Sequence, residues 1–212
     1  MPKSDLFIII GVAIIWLYIS VNMNSILGLI YVVMLYLYWN MRQDGKVYPI
    51  FRGEVKWGRV IGLSLVIAFA WIYVISGMVG SIAPGLKLEQ FQKIFAITDK
   101  PMSPYMSLFV VGLLIPITEE MVFRGAIMKF LESHNMNKII LIIVSACVFS
   151  VWHLMAYQAD NQSMIAGFLF GSLSSYLVQK RGQLVESILV HSMLNTIIML
   201  SSLGFLNIVG VI

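Results

Sequence analysis

The sequence predicts an all-α polytopic membrane protein with about seven transmembrane helices, or eight at most. Hydrophobic residues make up 59% of its 212 residues and charged residues only 11%, whereas a soluble domain carries about 25% charged residues. The apolar residues lie in long runs that are separated by short polar or basic segments. This alternation is the pattern of membrane helices joined by loops.

The N-terminal part of the chain, residues 1–104, is predicted to contain three of these helices. They span residues 6–21, 25–39 and 60–79. Polar Asn22 and Asn24 follow the first apolar run in place of a small-residue cleavage site, so we interpret this run as a retained helix and not as a signal peptide. A basic loop, 40–59, precedes the third helix. Apolar residues at helical spacing within the loop 80–104 favour an interfacial amphipathic helix, with an ordinary loop as the alternative.

The C-terminal part, residues 105–212, is predicted to supply the last four helices. They run over residues 105–130, 138–157, 163–181 and 184–201. Gly167 and Gly171 form a small-xxx-small face, which favours close contact with another helix. The apolar tail 203–212 is too short to span a membrane alone.

Basic residues are distributed unevenly between the loops, and this distribution predicts which loops face the cytoplasm. In this threading the outer loop carries Lys87, Lys93 and Lys100, and the cytoplasmic segments carry Lys3, Arg42, Lys46, Arg52, Lys56, Arg59, Lys129, Lys138, Lys180 and Arg181. Because an excess of Lys and Arg marks cytoplasmic loops, we expect the N-terminus in the cytoplasm. The net charge of +4 reflects this distribution and does not indicate a nucleic-acid partner. Cys147 is the single cysteine, which excludes an intramolecular disulfide.

Two adjacent glutamates, Glu119 and Glu120, lie inside the fourth apolar run. A charged side chain at the centre of a membrane helix costs roughly 2.5–3.5 kcal/mol on insertion scales. Such side chains therefore form ion pairs, face a water-filled cavity or take part in function. Glu120 and Arg124 are four residues apart and share a helix face, whereas Glu119 points about 100° away. Pro116 cannot donate to the carbonyl of Gly112, so the helix is expected to be kinked one turn before the glutamates, with a backbone acceptor freed there.

Two histidines and an asparagine occupy similar positions in later helices. His153 lies one turn after Phe149 in the fifth predicted helix, and His191 and Asn195 share a face of the seventh. Counting from the cytoplasmic helix ends places Glu119, His153 and His191 roughly 15, 22 and 15 Å deep, around the middle of a core about 30 Å thick. One layer of the bundle is therefore predicted to hold all of these groups.

This set of groups is typical of hydrolysis inside a membrane cavity. A glutamate that is shielded from bulk water is a stronger base and can activate a water molecule. A histidine can share that water or carry its proton. A second histidine and an asparagine one turn away can donate hydrogen bonds to a developing oxyanion.

These residues resemble the motifs of the CPBP family of intramembrane glutamic endopeptidases (CAAX proteases and bacteriocin-processing enzymes, also called Abi proteins). The resemblance covers roughly residues 105–201 and would make the last four helices a catalytic core. The matching segments, in this order on successive helices, are Glu119-Glu120-x-x-x-Arg124, Phe149-x-x-x-His153 and His191-x-x-x-Asn195.

The resemblance also implies a role for each residue. Glu119 and His153 would activate water, and His191 and Asn195 would hold the oxyanion. The supporting residues would be Glu120, Arg124 and Phe149. No metal and no cofactor is implied.

The implied activity is hydrolysis of a peptide bond in a membrane-associated peptide or protein. Implied substrates in a bacterium are leader peptides, bacteriocins and peptide pheromone precursors, and a short chain rich in Ile and Met points to a bacterial source. The expected location is the cell membrane, with lipid as a partner and a membrane protein as a further candidate partner.

Several alternatives stay open on the sequence alone. Zinc could be held by Glu119, His153 and His191 with water as the fourth ligand, although a His-Glu-x-x-His helix is absent. Serine catalysis is disfavoured because no Gly-x-Ser-x-Gly elbow is present. Glu120 and Arg124 could also form a structural ion pair beside a protonated Glu119. A non-catalytic immunity factor or scaffold could use the same groups to bind a peptide or a sensor protein, and a proton-coupled carrier could use Glu119.

The charge distribution generates a topology prediction. In a variant whose Cys147 is replaced by Ala, a cysteine introduced at Gln92 should react with a membrane-impermeant thiol reagent in intact cells, because the loop 80–104 is expected outside. A cysteine at Gln43, in the basic loop, should react only after the cells are opened. Labelling of the Gln43 position in intact cells would show that the orientation is inverted.

Overall fold

The computed structural model describes Val33, Tyr36 and residues 47–52, 54–55, 57–70, 103–157 and 161–202. All regular structure within these residues is helical. We label the helices α1 (Trp57–Ala70), α2 (Pro104–Ser133), α3 (Lys138–Tyr157), α4 (Asn161–Arg181) and α5 (Val185–Ser202). The predicted all-α class is therefore confirmed for the described part of the chain.

The helix boundaries in the C-terminal part agree closely with the prediction. α3 has the predicted bounds, and α4 and α5 differ from theirs by two residues or fewer. α2, however, continues past its predicted end to Ser133. An ion pair between Lys129 and Glu132, at 2.6 Å and three residues apart, stabilises this additional turn. Asn135, with a left-handed φ of 56°, follows the helix end.

The number of membrane spans stays a prediction. Among the described residues, only α2 is both long and apolar enough to cross a membrane by length and composition, and shorter apolar stretches occur at Val60–Ala70, Lys138–Leu154 and Val185–Leu200. α1 begins three residues earlier than predicted and is described as far as Ala70. The predicted helices 6–21 and 25–39, except Val33 and Tyr36, and the predicted amphipathic segment in 80–104, except 103–104, lie outside the described residues. The domain boundary at residue 104 also stays a prediction.

α2 departs twice from regular α-helical hydrogen bonding. Val110–Leu114 and Met121–Ile127 are π-helical turns that flank the short α-helical segment Ile115–Glu120. In the first of them the N–H of Ile115 donates to the carbonyl of Val110, five residues back. A π-helical turn thus precedes Pro116, where the sequence predicted a kink, and the two glutamates lie between the two π-helical turns.

α3 and α4 pack closely through the two glycines that the sequence singled out. A Cβ atom at Gly167 would lie 3.5 Å from the Cα of Ser150, and one at Gly171 would lie 3.0 Å from the Cα of Ala146. Any side chain at Gly171 would therefore press on the backbone of α3. The predicted small-xxx-small contact is confirmed.

Residues 47–52, inside the predicted basic loop, pack against α2 and the start of α5. The N–H of Tyr48 donates to the carbonyl of Gly125 at 3.1 Å, and the carbonyls of Pro49 and Ile50 each accept a backbone N–H, from Leu184 and Val185, at 3.0 Å. The hydroxyl of Tyr36 donates to the carbonyl of Tyr48. This segment fixes the first turn of α5, and nothing in the sequence pattern indicated that contact.

Candidate active site

Glu120 is fully buried, and hydrogen-bond donors from three helices surround its carboxylate. Oε1 lies 3.1 Å from Nη1 of Arg124 on α2 and 2.9 Å from Nδ1 of His191 on α5. Oε2 accepts from the hydroxyl of Ser174 on α4 at 2.6 Å and from that of Ser187 on α5 at 2.5 Å. A buried charge is tolerated when it is paired and hydrogen-bonded, and Glu120 meets both conditions.

Arg124 is equally buried and links α2 to both α3 and α4. Its Nη1 forms the expected ion pair with Glu120, and its Nη2 donates to the carbonyl of Gly171 at 3.3 Å. The guanidinium also lies over the ring of Phe149, 4.2 Å from the ring centroid, in cation–π geometry. A Cβ atom at Gly171 would come within 3.3 Å of Nη2, so the glycine leaves room for this hydrogen bond.

Glu119 faces the two histidines that the sequence placed in the same layer. Its Oε2 lies 3.6 Å from Nε2 of His191 and 4.0 Å from Nε2 of His153. The carboxylate is 1% exposed, whereas 24% of the His153 side chain is accessible. The cluster is therefore buried on the α2 side and accessible on the His153 side. The predicted proximity of these three side chains is present.

The Nδ1 atom of each imidazole ring contacts an oxygen atom, and this contact indicates the tautomer of the ring. Nδ1 of His153 lies 2.9 Å from the carbonyl oxygen of Phe149, and a carbonyl can only accept, so we assign the proton to Nδ1. Nδ1 of His191 lies 2.9 Å from the Glu120 carboxylate, and the same argument assigns its proton. Each neutral ring then turns an unprotonated Nε2 toward Glu119.

Aromatic side chains fix the planes of the two imidazole rings. The ring of Phe149 lies 4.3 Å from that of His153 and 6.0 Å from that of His191, between centroids. The ring of Phe170 on α4 packs against the imidazole ring of His191, with 4.5 Å between the centroids. Phe149 therefore contacts both histidines as well as Arg124, which agrees with the supporting position predicted for it.

Asn195 binds the backbone of α2 at the first π-helical turn. Its Nδ2 donates to the carbonyl of Val111 at 3.2 Å. The sequence suggested that Pro116 would leave the carbonyl of Gly112 without its donor. In the π-helical pattern, where Ile115 pairs with Val110, Pro116 stands five residues after Val111 and has no N–H to donate to it. Asn195 supplies a donor for the Val111 carbonyl, and the expectation for Gly112 stays a prediction.

Sequence reasoning missed Ser174, Ser187 and Phe170. Ser187 continues the row of His191 and Asn195 at four-residue spacing along α5, so its place on the site face could have been found. Ser174 lies three residues after Gly171, on the small-residue face of α4 that the sequence singled out, so its position could also have been found. Phe170 lies in the same helix, and no spacing signal distinguishes it from an ordinary packing residue. Within the described residues, no group of three or more His, Cys, Asp or Glu side chains has a spacing that would hold a metal ion.

Ionisable side chains that face one another inside an apolar helical bundle are typical of one class of protein, the membrane proteins with a functional intramembrane site. Comparison with known families identifies the particular family. Residues 101–197 match the model described as Type II CAAX prenyl endopeptidase Rce1-like. This match confirms, for residues 101–197, the resemblance to the CPBP family of CAAX proteases that the motifs indicated. Neither a curated protein nor a solved structure matches the chain.

The buried carboxylate–guanidinium pair generates a stability prediction. Replacing Glu120 by Gln leaves Arg124 buried with a neutral acceptor, and breaking a buried ion pair costs on the order of 3–5 kcal/mol at the upper end. The matched control is Glu132→Gln, which removes the partly exposed pair with Lys129 on the same helix and should cost about 1 kcal/mol or less. The measurement is the free energy of unfolding of both variants in detergent. Equal losses would contradict the importance assigned to the buried pair.

Proposed function

We propose that this chain is an intramembrane endopeptidase in which Glu119 activates the attacking water. The observation that supports this most directly is the arrangement of Glu119, His153 and His191, in which the Nε2 atom of each histidine lies within 4.0 Å of Oε2 of Glu119. Both distances exceed a direct hydrogen bond. They suit a water molecule that donates one hydrogen to Glu119 and the other to an imidazole nitrogen.

In the proposed reaction, Glu119 removes a proton from water as the oxygen attacks the scissile carbonyl carbon. The new carbon–oxygen bond gives a tetrahedral intermediate with a negative oxygen. When the carbon–nitrogen bond breaks, the amine takes the proton back from Glu119, directly or through Nε2 of His153. The products are a carboxylic acid and an amine, and no other reactant is consumed.

His191 and Asn195 are proposed to stabilise the negative oxygen. Because Nδ1 of His191 already donates to Glu120, its Nε2 becomes a donor only while Glu119, 3.6 Å away, shares with it the proton taken from water. The amide of Asn195 has two N–H bonds, so it can donate to an oxyanion while it keeps its bond to Val111.

The proposed substrate is a membrane-associated peptide or protein, and for a bacterial protein a leader peptide, bacteriocin or peptide pheromone precursor. The protein is proposed to be a multi-pass component of a bacterial cell membrane with its N-terminus in the cytoplasm. Mass spectrometry of peptides released from cells that carry the wild-type chain or Glu119→Ala would identify the substrate. An immunity or scaffold function predicts instead that the cellular phenotype survives this substitution.

The mechanism predicts different outcomes for the two glutamates. Glu119→Gln keeps the size of the side chain but removes its basicity, so turnover of a cleavable peptide should fall to background while thermal stability in detergent is retained. Asn195→Ala, which removes one oxyanion donor, should reduce turnover by about 10²–10³. Wild-type turnover in Glu119→Gln, together with a well-folded but inactive Glu120→Gln, would show that the roles of the two glutamates are reversed.

Chelation distinguishes water activation by glutamate from a zinc mechanism. If Glu119 is a base, the purified protein should contain no stoichiometric zinc and its turnover should survive a strong chelator. Zinc remains the specific alternative because each histidine has its Nδ1 bound by an oxygen and its Nε2 directed at the carboxylate, an arrangement also common at metal sites. Loss of turnover on chelation, restored by added zinc, would assign the mechanism to the metal.

A further inference from the structure

We infer that Ser174 and Ser187 are positioning residues for this reaction, because they hold one oxygen of Glu120 so that the other orients His191. The inference rests on the proposed hydrolytic function and adds two residues that belong to none of the sequence motifs. Both serines are buried, at 2% and 1% exposure. They come from two helices, α4 and α5, and meet at the same carboxylate oxygen on α2.

The two hydroxyls and the carboxylate form a compact group. The Oγ atoms lie 2.6 Å (Ser174) and 2.5 Å (Ser187) from Oε2 of Glu120, and 2.5 Å from each other. Hydrogen bonds to an ionised acceptor are about twice as strong as neutral ones. The position of Oε2 is therefore set by two charge-assisted bonds from opposite helices.

Fixing Oε2 determines what Oε1 can do. A carboxylate is planar and turns about a single bond, and this terminal torsion is broad when nothing restrains it. With Oε2 held by the serines, Oε1 is directed at Nη1 of Arg124 and Nδ1 of His191. Without the serines, Glu120 can turn both oxygens toward the cation of Arg124, and Nδ1 of His191 loses its acceptor.

The consequence for the reaction lies in the tautomer of His191. Which ring nitrogen carries the proton is set by the hydrogen bond that the other makes. The bond from Nδ1 to Glu120 keeps the proton on Nδ1, so that Nε2, 3.6 Å from Glu119, remains able to gain a proton and become a donor. The serines therefore act on the reaction through Glu120 and His191, without touching substrate.

A purely structural role is the competing explanation, because serines in membrane helices also join helices by hydrogen bonds. The chain contains a matched pair for comparison. Ser175 on α4 donates to Ser145 on α3 at 3.0 Å, and both are buried. Ser175 is adjacent to Ser174 but points about 100° away around the helix. Replacing either serine by Ala therefore removes one buried hydroxyl and one hydrogen bond between helices, and only Ser174 contacts Glu120.

The kinetic test compares Ser174→Ala, Ser187→Ala and the double variant with Ser175→Ala on a cleavable peptide. Loss of a group that orients a reacting histidine through a carboxylate typically costs about 10–100-fold. We expect a fall in kcat of about tenfold for each single variant and more for the double, with KM unchanged, since the serines act on the reacting groups. Ser175→Ala should keep the kcat of the wild-type protein. Equal losses in Ser174→Ala and Ser175→Ala, or a change in KM alone, would overturn the assignment.

A spectroscopic test needs no substrate and so separates this inference from the proposed function. The chain has 3 histidines, and exposed His134 can be identified by a His134→Gln variant, so ¹⁵N-histidine NMR in detergent gives an assignable spectrum. We expect His191 of the wild-type protein and of Ser175→Ala to be protonated at Nδ1. The Ser174→Ala and Ser187→Ala variants should show a mixture of tautomers. An unchanged His191 signal in both variants would refute the positioning role, whether or not the protein cleaves a peptide.

Discussion

The buried pair of Glu120 and Arg124 is the interaction on which the arrangement of the helices depends. Two opposite charges in an apolar bundle lose several kcal/mol of hydration each, and their mutual attraction restores this only with good geometry and further hydrogen bonds. The further bonds come from serines and a histidine on α4 and α5, from the carbonyl of Gly171 and from the face of Phe149. The hydrogen bonds and ring contacts of this one ion pair therefore connect α2, α3, α4 and α5.

The backbone of α2 contributes to the site as much as its side chains do. A proline inside a helix removes a hydrogen bond, and here the loss is taken up by a π-helical turn and by the amide of Asn195, which binds the carbonyl of Val111. The same bond ties α5 to α2 beside the glutamates. π-Helical turns are frequent at functional sites, and in this protein two of them bracket the segment that carries Glu119 and Glu120.

Adjacent glutamates lie in different surroundings here because a helix turns them in different directions. Glu120 points to the polar groups of α4 and α5 and serves as a fixed anion, whereas Glu119 points to the two imidazole rings. His191 contacts both carboxylates, at 2.9 Å through Nδ1 and at 3.6 Å through Nε2. The histidine is thus the physical connection between the structural glutamate and the proposed catalytic one.

The sequence by itself determined the all-helical class, the bounds of α3 to α5, the pairing of Glu120 with Arg124 and the layer shared by Glu119, His153 and His191. These follow from periodicity, from four-residue spacing and from the high cost of charge in an apolar run, all of which are local properties. Only the tertiary structure decided that Ser174 and Ser187 hold Glu120, that Asn195 binds Val111, and that residues 47–52 fix the start of α5. Each of these contacts joins residues far apart in the chain, and their positions depend on how the helices pack against one another, which no local pattern encodes.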